Sequence, residues 1–353
     1  MRTRWSLLGA AAISVALVVS GCSARGGVAE SPRSLTMGFT EQDTTGDPLA
    51  DWFARSVFAL SHGQLAIRIV RDCCGDGQDA ETRLIRGVAR HAYDLGWVPT
   101  RAFERLGVPT ARALTAPMLV DSYRLQQAVV DSALSTTVLT DVRRLGVVGL
   151  ALEPGFLRRP VATETSGPLR ALSDWQRSTF SSYGSSVEAA AVTAFGARSV
   201  QLSPPERDTA FANRTLLGYA SSIVDQNHDH VLARPYITQN MALWPRMTAL
   251  IAHPGVLSLL SMQQRAWLDD AAADARGRTG ALRTLEQRAI RAGCSAGTHF
   301  VTADLRDLAG LWHALGPVYA VLGRDEPTRR VILAILALDS ATPGDGSAPP
   351  ACD

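Results

Sequence analysis

The chain has 353 residues and a mass of 37.7 kDa, a length that allows two ordinary domains or one large bilobed unit. Hydrophobic residues make up 46% of the chain, which excludes intrinsic disorder. The 35 basic and 33 acidic side chains leave a formal charge of +2, which gives no electrostatic bias toward nucleic acid. All of these basic residues are arginines, so chemistry that needs a P-loop or Schiff-base lysine is excluded.

The N-terminal segment has the pattern of a bacterial export signal. Two arginines near the start precede a mostly apolar run over 7–19, and the segment closes on a glycine and Cys22. The run is too short for a good membrane span. The small residues before the cysteine resemble a lipobox, so we predict a signal peptide over 1–21 and lipidation of the Cys22 thiol. With a lipid on Cys22, residues 22–34 would tether the domain to an extracytoplasmic membrane surface. The alternative is an ordinary signal peptide with a coincidental cysteine.

Short apolar runs alternate with helical periodicity between the tether and a flexible tail over 341–353 that is rich in Pro, Gly and Ser. The runs predict strands over 34–40, 65–70, 93–98, 147–152, 178–181, 200–202, 216–219, 236–238 and 247–252. The periodicity predicts helices over 49–60, 80–90, 122–145, 185–195, 263–292, 304–322 and 328–338. Strands that alternate with helices indicate an α/β fold with mostly parallel sheets.

Four further cysteines would lie outside the cytoplasm, and they allow three pairings among which the sequence does not choose. They are Cys73, Cys74, Cys294 and Cys352. A bond between the adjacent pair would be strained, so a bond to a distant partner is favoured. A metal site is the sharper alternative, but no C-x-x-C spacing supports it. We therefore expect a structural disulfide.

The run over 225–230 contains two histidines and two aspartates, which suit zinc, but no distant third ligand is visible. We interpret it as a solvated loop and predict no metal and no cofactor. The sequence contains no nucleophile elbow, H-E-x-x-H, dinucleotide fingerprint or Walker motif. This lowers the expectation of an enzyme without excluding one, because catalytic groups converge from distant positions.

Several short motifs resemble one family when they are taken in order. They lie over 35–39, 61–67, 93–98, 101–104, 115–120, 149–152, 155–160 and 194–197. Together they resemble the substrate-binding proteins of TRAP transporters, of the DctP type. The resemblance runs from about residue 35 to residue 338, which is nearly all of the mature chain.

The resemblance implies an α/β, two-lobed, periplasmic-binding-protein-like (type II) fold with a hinge and an interlobe cleft. Lobe one would combine 35–152 with 249–340, and lobe two would be 153–248. The implied function is capture of a small polar ligand, without bond chemistry, for delivery to TRAP membrane subunits. Hinge closure over such a cleft excludes water, so a few polar contacts give selectivity. The alternatives are a receptor fold repurposed for sensing or scaffolding, and an extracytoplasmic enzyme.

The sequence departs from this family at one expected ligand-binding position. In many relatives an arginine on the first strand of lobe two clamps the ligand carboxylate with paired N–H donors. Counting back from the glycine at 196 places that position at Ser181, which carries no charge. We therefore expect a ligand that is not an organic acid or that is held by another arginine. The candidates are Arg158, Arg159, Arg177 and Arg234.

Other polar residues are assigned to the predicted ligand site. Gln42 and Asp43 end the first predicted strand, where ligand loops of open α/β sheets lie, and a helix cap or turn is the equal alternative. Ser185 and Thr248 complete the polar part of the predicted set.

Three aromatic residues are assigned to the cleft with an alternative for each. Trp97 closes a strand of lobe one, where it would stack on a ligand or cap the core. Tyr219 stands near the ligand or is a core residue with a satisfied hydroxyl group. Trp244 precedes the return to lobe one, where it would line the cleft or stiffen the hinge.

Overall fold

The structure is a computed structural model that describes residues 32–176, 178–342 and 352. The predicted signal peptide, the lipidation site at Cys22, the tether before residue 32, Arg177 and most of the C-terminal tail lie outside the described residues. The described residues belong to one compact unit. Within them, no helix combines the length and the apolar character that are needed to cross a bilayer.

The described residues form an α/β structure. The strands are β1 Arg33–Gly38, β2 Leu65–Val70, β3 Leu95–Pro99, β4 Val148–Glu153, β5 Leu157–Ala162, β6 Thr179–Ser182, β7 Arg198–Gln201, β8 Gly218–Ser221, β9 Tyr236–Thr238, β10 Trp244–Pro245, β11 Thr248–Ala252 and β12 His299–Val301. The helices of the first half are α1 Leu49–Leu60, α2 Ala80–Ala89, α3 Thr100–Arg105, α4 Pro109–Leu114, α5 Tyr123–Asp131, α6 Ala133–Asp141 and α7 Leu172–Trp175. Those of the second half are α8 Ser186–Ala194, α9 Pro204–Ala212, α10 Ile223–Asp229, α11 Pro254–Ser258, α12 Met262–Arg276, α13 Thr279–Ala296, α14 Leu305–Ala314, α15 Gly316–Leu322 and α16 Glu326–Ala341.

The first sheet has the strand order β2-β1-β3-β11-β4. Strands β1, β2 and β3 are parallel, whereas β11 runs antiparallel to both β3 and β4. Helices α1 and α12 pack against each other, and α1 also contacts β2 while α12 contacts β4. Apolar side chains from these helices and from the strands of the sheet share one buried cluster, which includes Phe53 of α1, Leu95 of β3 and Leu250 of β11. The amphipathic helices therefore cover the sheet in the way that their periodicity predicts.

The second sheet has the order β12-β9-β5-β8-β6-β7, and β10 pairs with β5. Strands β6, β7 and β8 are parallel neighbours, whereas β5 is antiparallel to β8, β9 and β10. Strand β12 lies within 249–340, the segment predicted for lobe one, yet it pairs with β9 of this second sheet. The chain thus returns to the second sheet after α13.

Two of the segments that carry the chain between the sheets, from β4 to β5 and from β10 to β11, lie side by side. The backbone N–H of Arg246 donates to the carbonyl of Phe156 over 3.0 Å. A Cβ at Gly155 would stand 1.7 Å from the carbonyl oxygen of Arg246, so only glycine permits this approach. The sequence places its glycine where the two crossing backbones touch.

Three helices that the periodicity predicts as continuous are divided in the structure. The helix predicted over 122–145 breaks at Ser132, whose hydroxyl accepts the N–H of Leu134 as an N-cap. The helix predicted over 304–322 breaks before Pro317, which lies in the first turn of α15, where its missing N–H costs nothing. The helix predicted over 263–292 is interrupted between α12 and α13.

The interpretation of 225–230 as a solvated loop is wrong. Residues up to Asp229 belong to α10, because the hydroxyl of Ser222 accepts the N–H of Asp225 and caps the helix, while Ile223 and Gln226 are buried on its inner face. His228 points outward to a carboxylate of the first sheet's loops, Asp43, over 2.9 Å. In the described part of the chain, no group of three histidine, cysteine or carboxylate side chains is placed to hold a metal ion.

A disulfide joins Cys294 of α13 to Cys352, with a Cα–Cα distance of 5.5 Å. The expected structural disulfide is therefore present, in one of the three pairings that the sequence allows. The favoured bond from the adjacent pair to a distant partner is not formed, because Cys294 and Cys352 are bonded to each other and Cys73 and Cys74 are thiols in this structure.

Candidate functional site

Arg101 marks the point where chain segments that follow the first sheet meet the second. It lies in the first turn of α3, directly after β3, and is only 7% exposed. Its Nε and Nη2 donate to the two carboxylate oxygens of Glu81 on α2 over 3.1 and 2.5 Å. Its guanidinium carbon also stands 5.0 Å from the ring centre of Tyr183, which follows β6 of the second sheet.

Arg158 approaches from β5 of the second sheet. Its Nη2 lies 3.4 Å from a carboxylate oxygen of Asp225, and its Nη1 donates to the carbonyl of Ala220 over 3.3 Å. Its buried Nε has no hydrogen-bond partner among the described residues. Of the five N–H donors of this guanidinium, few are therefore well used.

Arg246 comes from the crossing segment between β10 and β11. It forms an ion pair with Glu41, which lies just after β1, and its Nη1 reaches the carbonyl of Gly46 over 3.5 Å. The carboxylates of Glu41, Asp47 and Asp225 outweigh the effect of burial and raise its pKa. Arg246 thus stays charged beside loops of the first sheet.

The charges of these three arginines act on one another. Burial lowers the pKa of Arg158, Asp225 opposes this effect, and Arg101 and Arg246 lower the pKa further. Burial also raises the pKa of Glu188 on α8 to about 7, although Arg101 and Arg158 oppose the rise. We call Arg101, Arg158, Arg246 and Glu188 the arginine cluster. Its residues come from α3, which follows the first sheet, from β5 and α8 of the second half of the fold, and from a crossing segment.

The arginine cluster can bind a small polar ligand through guanidinium donors. A planar guanidinium offers paired N–H groups that match a carboxylate. Arg101 and Arg246 already hold carboxylates of the chain, whereas Arg158 is held loosely and keeps a buried donor free within the described structure. Glu188 can exchange a proton near neutral pH and can act as a hydrogen-bond donor or acceptor.

Asp47 brings two of the predicted residues to the edge of this cluster. Its Oδ2 accepts the indole N–H of Trp97 over 2.8 Å and the hydroxyl of Thr248 over 3.1 Å. Burial raises the pKa of Asp47 to about 6, and Arg246 opposes the rise. Trp97 itself is 1% exposed and packs against Phe53, so its ring belongs to the core while its N–H serves Asp47.

Arg159 lies apart from the arginine cluster. The two residues at 158 and 159 are neighbours on β5 and point to opposite faces of the strand. Arg159 donates to both carboxylate oxygens of Glu286 over 2.8 and 2.7 Å and to the carbonyl of Gln239 over 2.6 Å. Tyr123 donates its hydroxyl to Glu286 as well, over 2.7 Å. These contacts tie the second sheet to α13 and α5.

Two predicted aromatic residues are also placed in the core. Tyr219 donates its hydroxyl to Gln226 over 2.5 Å and packs edge-on against Phe211. Trp244, on β10, is 2% exposed and belongs to a buried apolar cluster. For both residues the structure supports the core alternative by position, and their part in ligand binding stays a prediction.

The predicted polar residues are placed at several points. Ser181 is buried on β6 opposite Tyr219, and Ser185 caps α8 by accepting the N–H of Glu188 over 3.2 Å. Gln42 and Asp43 are exposed. The hydrogen bond from His228 to Asp43 therefore joins the β1 loop to α10 at the surface.

Sequence reasoning missed Arg101, Glu188 and Arg246 as site residues. One signal was available for Arg101, because it lies just beyond the predicted strand over 93–98, at the carboxyl end where open α/β sheets bind ligands. For Glu188 and Arg246 no local pattern exists, since a helix glutamate and a loop arginine are normally solvated. Arg234, a candidate substitute for the clamp, is more than half exposed and pairs with Glu164 at the surface.

Two open cavities lie away from the cluster. One, of about 530 Å³, is lined by α1 and β2, and the other, of about 670 Å³, lies between α8 and α15. Neither is lined by Arg101, Arg158 or Arg246.

No family model matches the sequence, and no curated protein matches it significantly. Solved structures match it by fold. The sugar acid binding protein DctPAm from Advenella mimigardefordensis, in complex with galactonate, gives a TM-score of 0.77 at 16% identity and covers 88% of this chain and 99% of its own. A TRAP periplasmic solute-binding protein from a Polaromonas species, bound to D-erythronate, gives a TM-score of 0.73 at 21% identity. The match covers 86% of this chain and 98% of that protein's chain. A TRAP periplasmic solute-binding protein from Ochrobactrum anthropi, with its C-terminus bound in the ligand-binding pocket, gives a TM-score of 0.75 at 18% identity. The match covers 88% of this chain and 97% of that protein's chain.

The chain has the fold of the TRAP periplasmic solute-binding proteins. The α/β, two-lobed fold class inferred from the motifs is thereby confirmed. In this fold the arginine cluster lies where elements of both sheets and a crossing segment meet.

Proposed function

We propose that this chain is an extracytoplasmic, lipid-anchored solute-binding protein that captures a small polar anion for a TRAP-type membrane transporter. The observation that carries the proposal is the position of Arg158. This guanidinium lies near groups from both halves of the fold, is 16% exposed with a buried Nε, and is loosely paired. A carboxylate ligand would satisfy its donors in the way that a bidentate pair requires.

Arg158 takes the role that Ser181 is unable to take. Ser181 supplies no charge, and Arg159 is occupied by Glu286. The structural neighbours from Advenella mimigardefordensis and the Polaromonas species are described with galactonate and D-erythronate, which are both sugar acids. Sugar acids therefore form the first ligand class to test. These neighbours are binding proteins, which supports capture and release without bond chemistry.

The location within the cell rests on the N-terminal sequence. The apolar run and the cysteine at position 22 support export followed by lipidation. Acyl chains on Cys22 would hold the protein on the extracytoplasmic face of the cell membrane, close to a transporter. Replacing Cys22 with serine should release the exported protein into the soluble fraction, and a variant that stays with the membrane would contradict the anchor.

Ligand binding is tested by thermal unfolding and calorimetry on the exported protein. The panel contains galactonate, D-erythronate, C4 dicarboxylates and sialic acid, with galactose and erythritol as uncharged counterparts. A ligand that binds only the folded state at 100 times its Kd stabilises it by about 2.7 kcal/mol. We expect acids to stabilise the protein and the uncharged counterparts to have no effect.

Variants locate the binding site. Arg158→Gln should weaken binding at least about tenfold, because a charged hydrogen bond is worth roughly 1.5–3 kcal/mol. The matched control is Arg234→Gln, since that arginine is exposed and pairs with Glu164 at 3.7 Å. Acid binding that survives Arg158→Gln unchanged would contradict the assignment. The unfolding of each ligand-free variant shows whether a loss of binding reflects a loss of fold.

A second candidate function is supported by one observation. Arg101 and Arg246 are already paired with carboxylates of the chain, so most of the positive charge between the sheets is neutralised internally. A receptor fold used for sensing or scaffolding would have this property, because it needs no anion to complete the site. No thermal shift across a broad panel of metabolites would favour this function over transport.

A further inference from the structure

The five cysteines of the chain fall into three groups. Cys22 is the predicted lipidation site, and Cys294 and Cys352 are bonded to each other across a separation of 58 residues. Cys73 and Cys74 remain, adjacent in sequence and placed just after β2. If the other three are occupied in this way, each member of the adjacent pair has only the other as a partner within the chain.

The two thiols are already close to each other. Their sulfur atoms lie 2.8 Å apart, and the sulfur of Cys74 is 4.0 Å from the hydroxyl oxygen of Tyr93. Cys73 is 5% exposed, whereas Cys74 is partly exposed. An incoming reagent therefore reaches Cys74 first.

The backbone of this turn is held in an unusual conformation. Asp72 and Cys74 have φ angles of +50° and +75°, in the left-handed region that residues other than glycine rarely adopt. The N–H of Asp72 donates to the carbonyl of Glu41, and the N–H of Cys73 donates to that of Phe39. The turn is thus fixed by its hydrogen bonds to the segment after β1, and such strained turns commonly have a functional role.

The surroundings favour thiolate formation at Cys74. A hydrogen bond from Cys73, together with Tyr93 and the charge of Arg83, lowers the pKa of Cys74 to about 7 in spite of partial burial. The same hydrogen bond and burial raise the pKa of Cys73. Cys74 is therefore the attacking group, and Cys73 is the thiol that resolves the intermediate.

We propose that Cys73 and Cys74 are a redox-modification site that forms a vicinal disulfide in the exported protein. This inference rests on the proposed extracytoplasmic location, which supplies a protein or small-molecule disulfide as oxidant. The Cys74 thiolate attacks one sulfur of that disulfide and expels a thiolate. Cys73 then loses its proton and attacks the sulfur of Cys74, and the second thiolate leaves. The pair is oxidised by two electrons, and the incoming disulfide is reduced to two thiols.

The vicinal bond should be easier to reduce than the bond between Cys294 and Cys352. Adjacent Cα atoms are about 3.8 Å apart across a trans peptide, below the range of about 4.4–6.8 Å that disulfides prefer. The Cα–Cα distance between Cys294 and Cys352, 5.5 Å, lies within it. Strained disulfides are the labile and regulatory ones.

The site lies at a contact between the two sheets. The side-chain amide of Gln78 donates to the carbonyl of Gln201, the last residue of β7, over 2.6 Å. The hydroxyl of Tyr183 lies 3.5 Å from the carbonyl of Gly77. Both partners are within five residues of Cys74, so ring closure or opening changes the turn that makes these contacts.

The test is peptide mass spectrometry on full-length protein exported by its own leader and trapped with iodoacetamide before any reduction. Trypsin should release the peptide 72–83 with both cysteines. We expect that peptide to be lighter by two hydrogen atoms and unalkylated, and to become doubly alkylated after reduction. The linked peptides that contain Cys294 and Cys352 serve as the internal control. Dithiothreitol should open the vicinal bond at a concentration at least about tenfold lower than the control bond.

Each other outcome overturns the inference. A doubly alkylated 72–83 peptide beside an intact bond between Cys294 and Cys352 shows an oxidising location without a vicinal disulfide. A disulfide from Cys73 or Cys74 to a second molecule also shows an oxidising location without a vicinal disulfide. Free thiols at all four positions contradict the proposed location as well. The variants Cys73→Ser and Cys74→Ser should each leave one alkylatable thiol in that peptide.

Discussion

The buried pair of Arg159 and Glu286 should serve the fold rather than a ligand, and removing its carboxylate tests this. Two hydrogen bonds of 2.8 and 2.7 Å join the side chains, each of which is 6% exposed, and Tyr123 donates to the same carboxylate. Breaking a buried pair on one side leaves an uncompensated charge and costs about 3–5 kcal/mol. We therefore expect Glu286→Ala to lower the free energy of unfolding by about that amount.

The matched control is an exposed ion pair. Arg278 and Asp274 are joined over 2.8 Å, but their side chains are 41% and 42% exposed. Asp274→Ala should cost about 0–1 kcal/mol, because solvent screens such pairs. Urea unfolding followed by circular dichroism measures both values through the midpoint and the slope.

A double variant separates charge from packing. Arg159→Met with Glu286→Leu removes both buried charges and keeps apolar volume, so it should be more stable than Glu286→Ala alone. The reasoning is refuted if Glu286→Ala costs no more than Asp274→Ala, or if the double variant is as unstable as the two single changes added together. The double variant should also bind ligand as the unmodified protein does, and a loss of affinity would return Arg159 to the site.

Two further predictions concern pH and the crossing segments. Burial raises the pKa of Glu188 to about 7, so its contribution to stability is complete below about pH 4.3 and is lost as the pH rises through 7. Glu188→Gln should flatten this loss in unfolding measured from pH 4 to 8, and an unchanged profile would contradict it. Gly155→Ala should destabilise strongly, because its Cβ would meet the carbonyl oxygen of Arg246. Gly310→Ala, in α14 with nothing within 4 Å, should instead stabilise by about 0.8–1 kcal/mol, and equal effects of the two substitutions would contradict the argument.

The sequence was most informative about the strands. Strands appear in the sequence as short apolar or alternating runs, and those predicted over 65–70, 147–152 and 247–252 coincide with observed strands to within one residue at either end. Helix divisions were harder to predict, since a single side-chain hydrogen bond decides them. Ser132 ends one helix and caps the next, and apolar periodicity continues across it without a signal.

The candidate site was less accessible to sequence reasoning for a physical reason. Charged side chains are buried only when distant segments supply their partners. Glu81 lies 20 residues from Arg101, and the charged groups that act on the pKa of Glu188 lie on α2, α3 and β5. The two neighbouring arginines at 158 and 159 look equivalent in the sequence. Only the alternation of side chains along β5 separates the one that meets the cluster from the one that binds α13.

The charge balance of the arginine cluster restricts what can bind there. An anion that approaches Arg158 also approaches Glu188, and two carboxylates at one buried place repel each other unless one holds a proton. The pKa of about 7 means that Glu188 can hold that proton near neutral pH. The loosely paired Asp225, at 3.4 Å, is the other group that an incoming acid would replace. An acid ligand is therefore compatible with this site when Glu188 is neutral, and the serine at position 181 is then no obstacle, because the positive charge comes from β5.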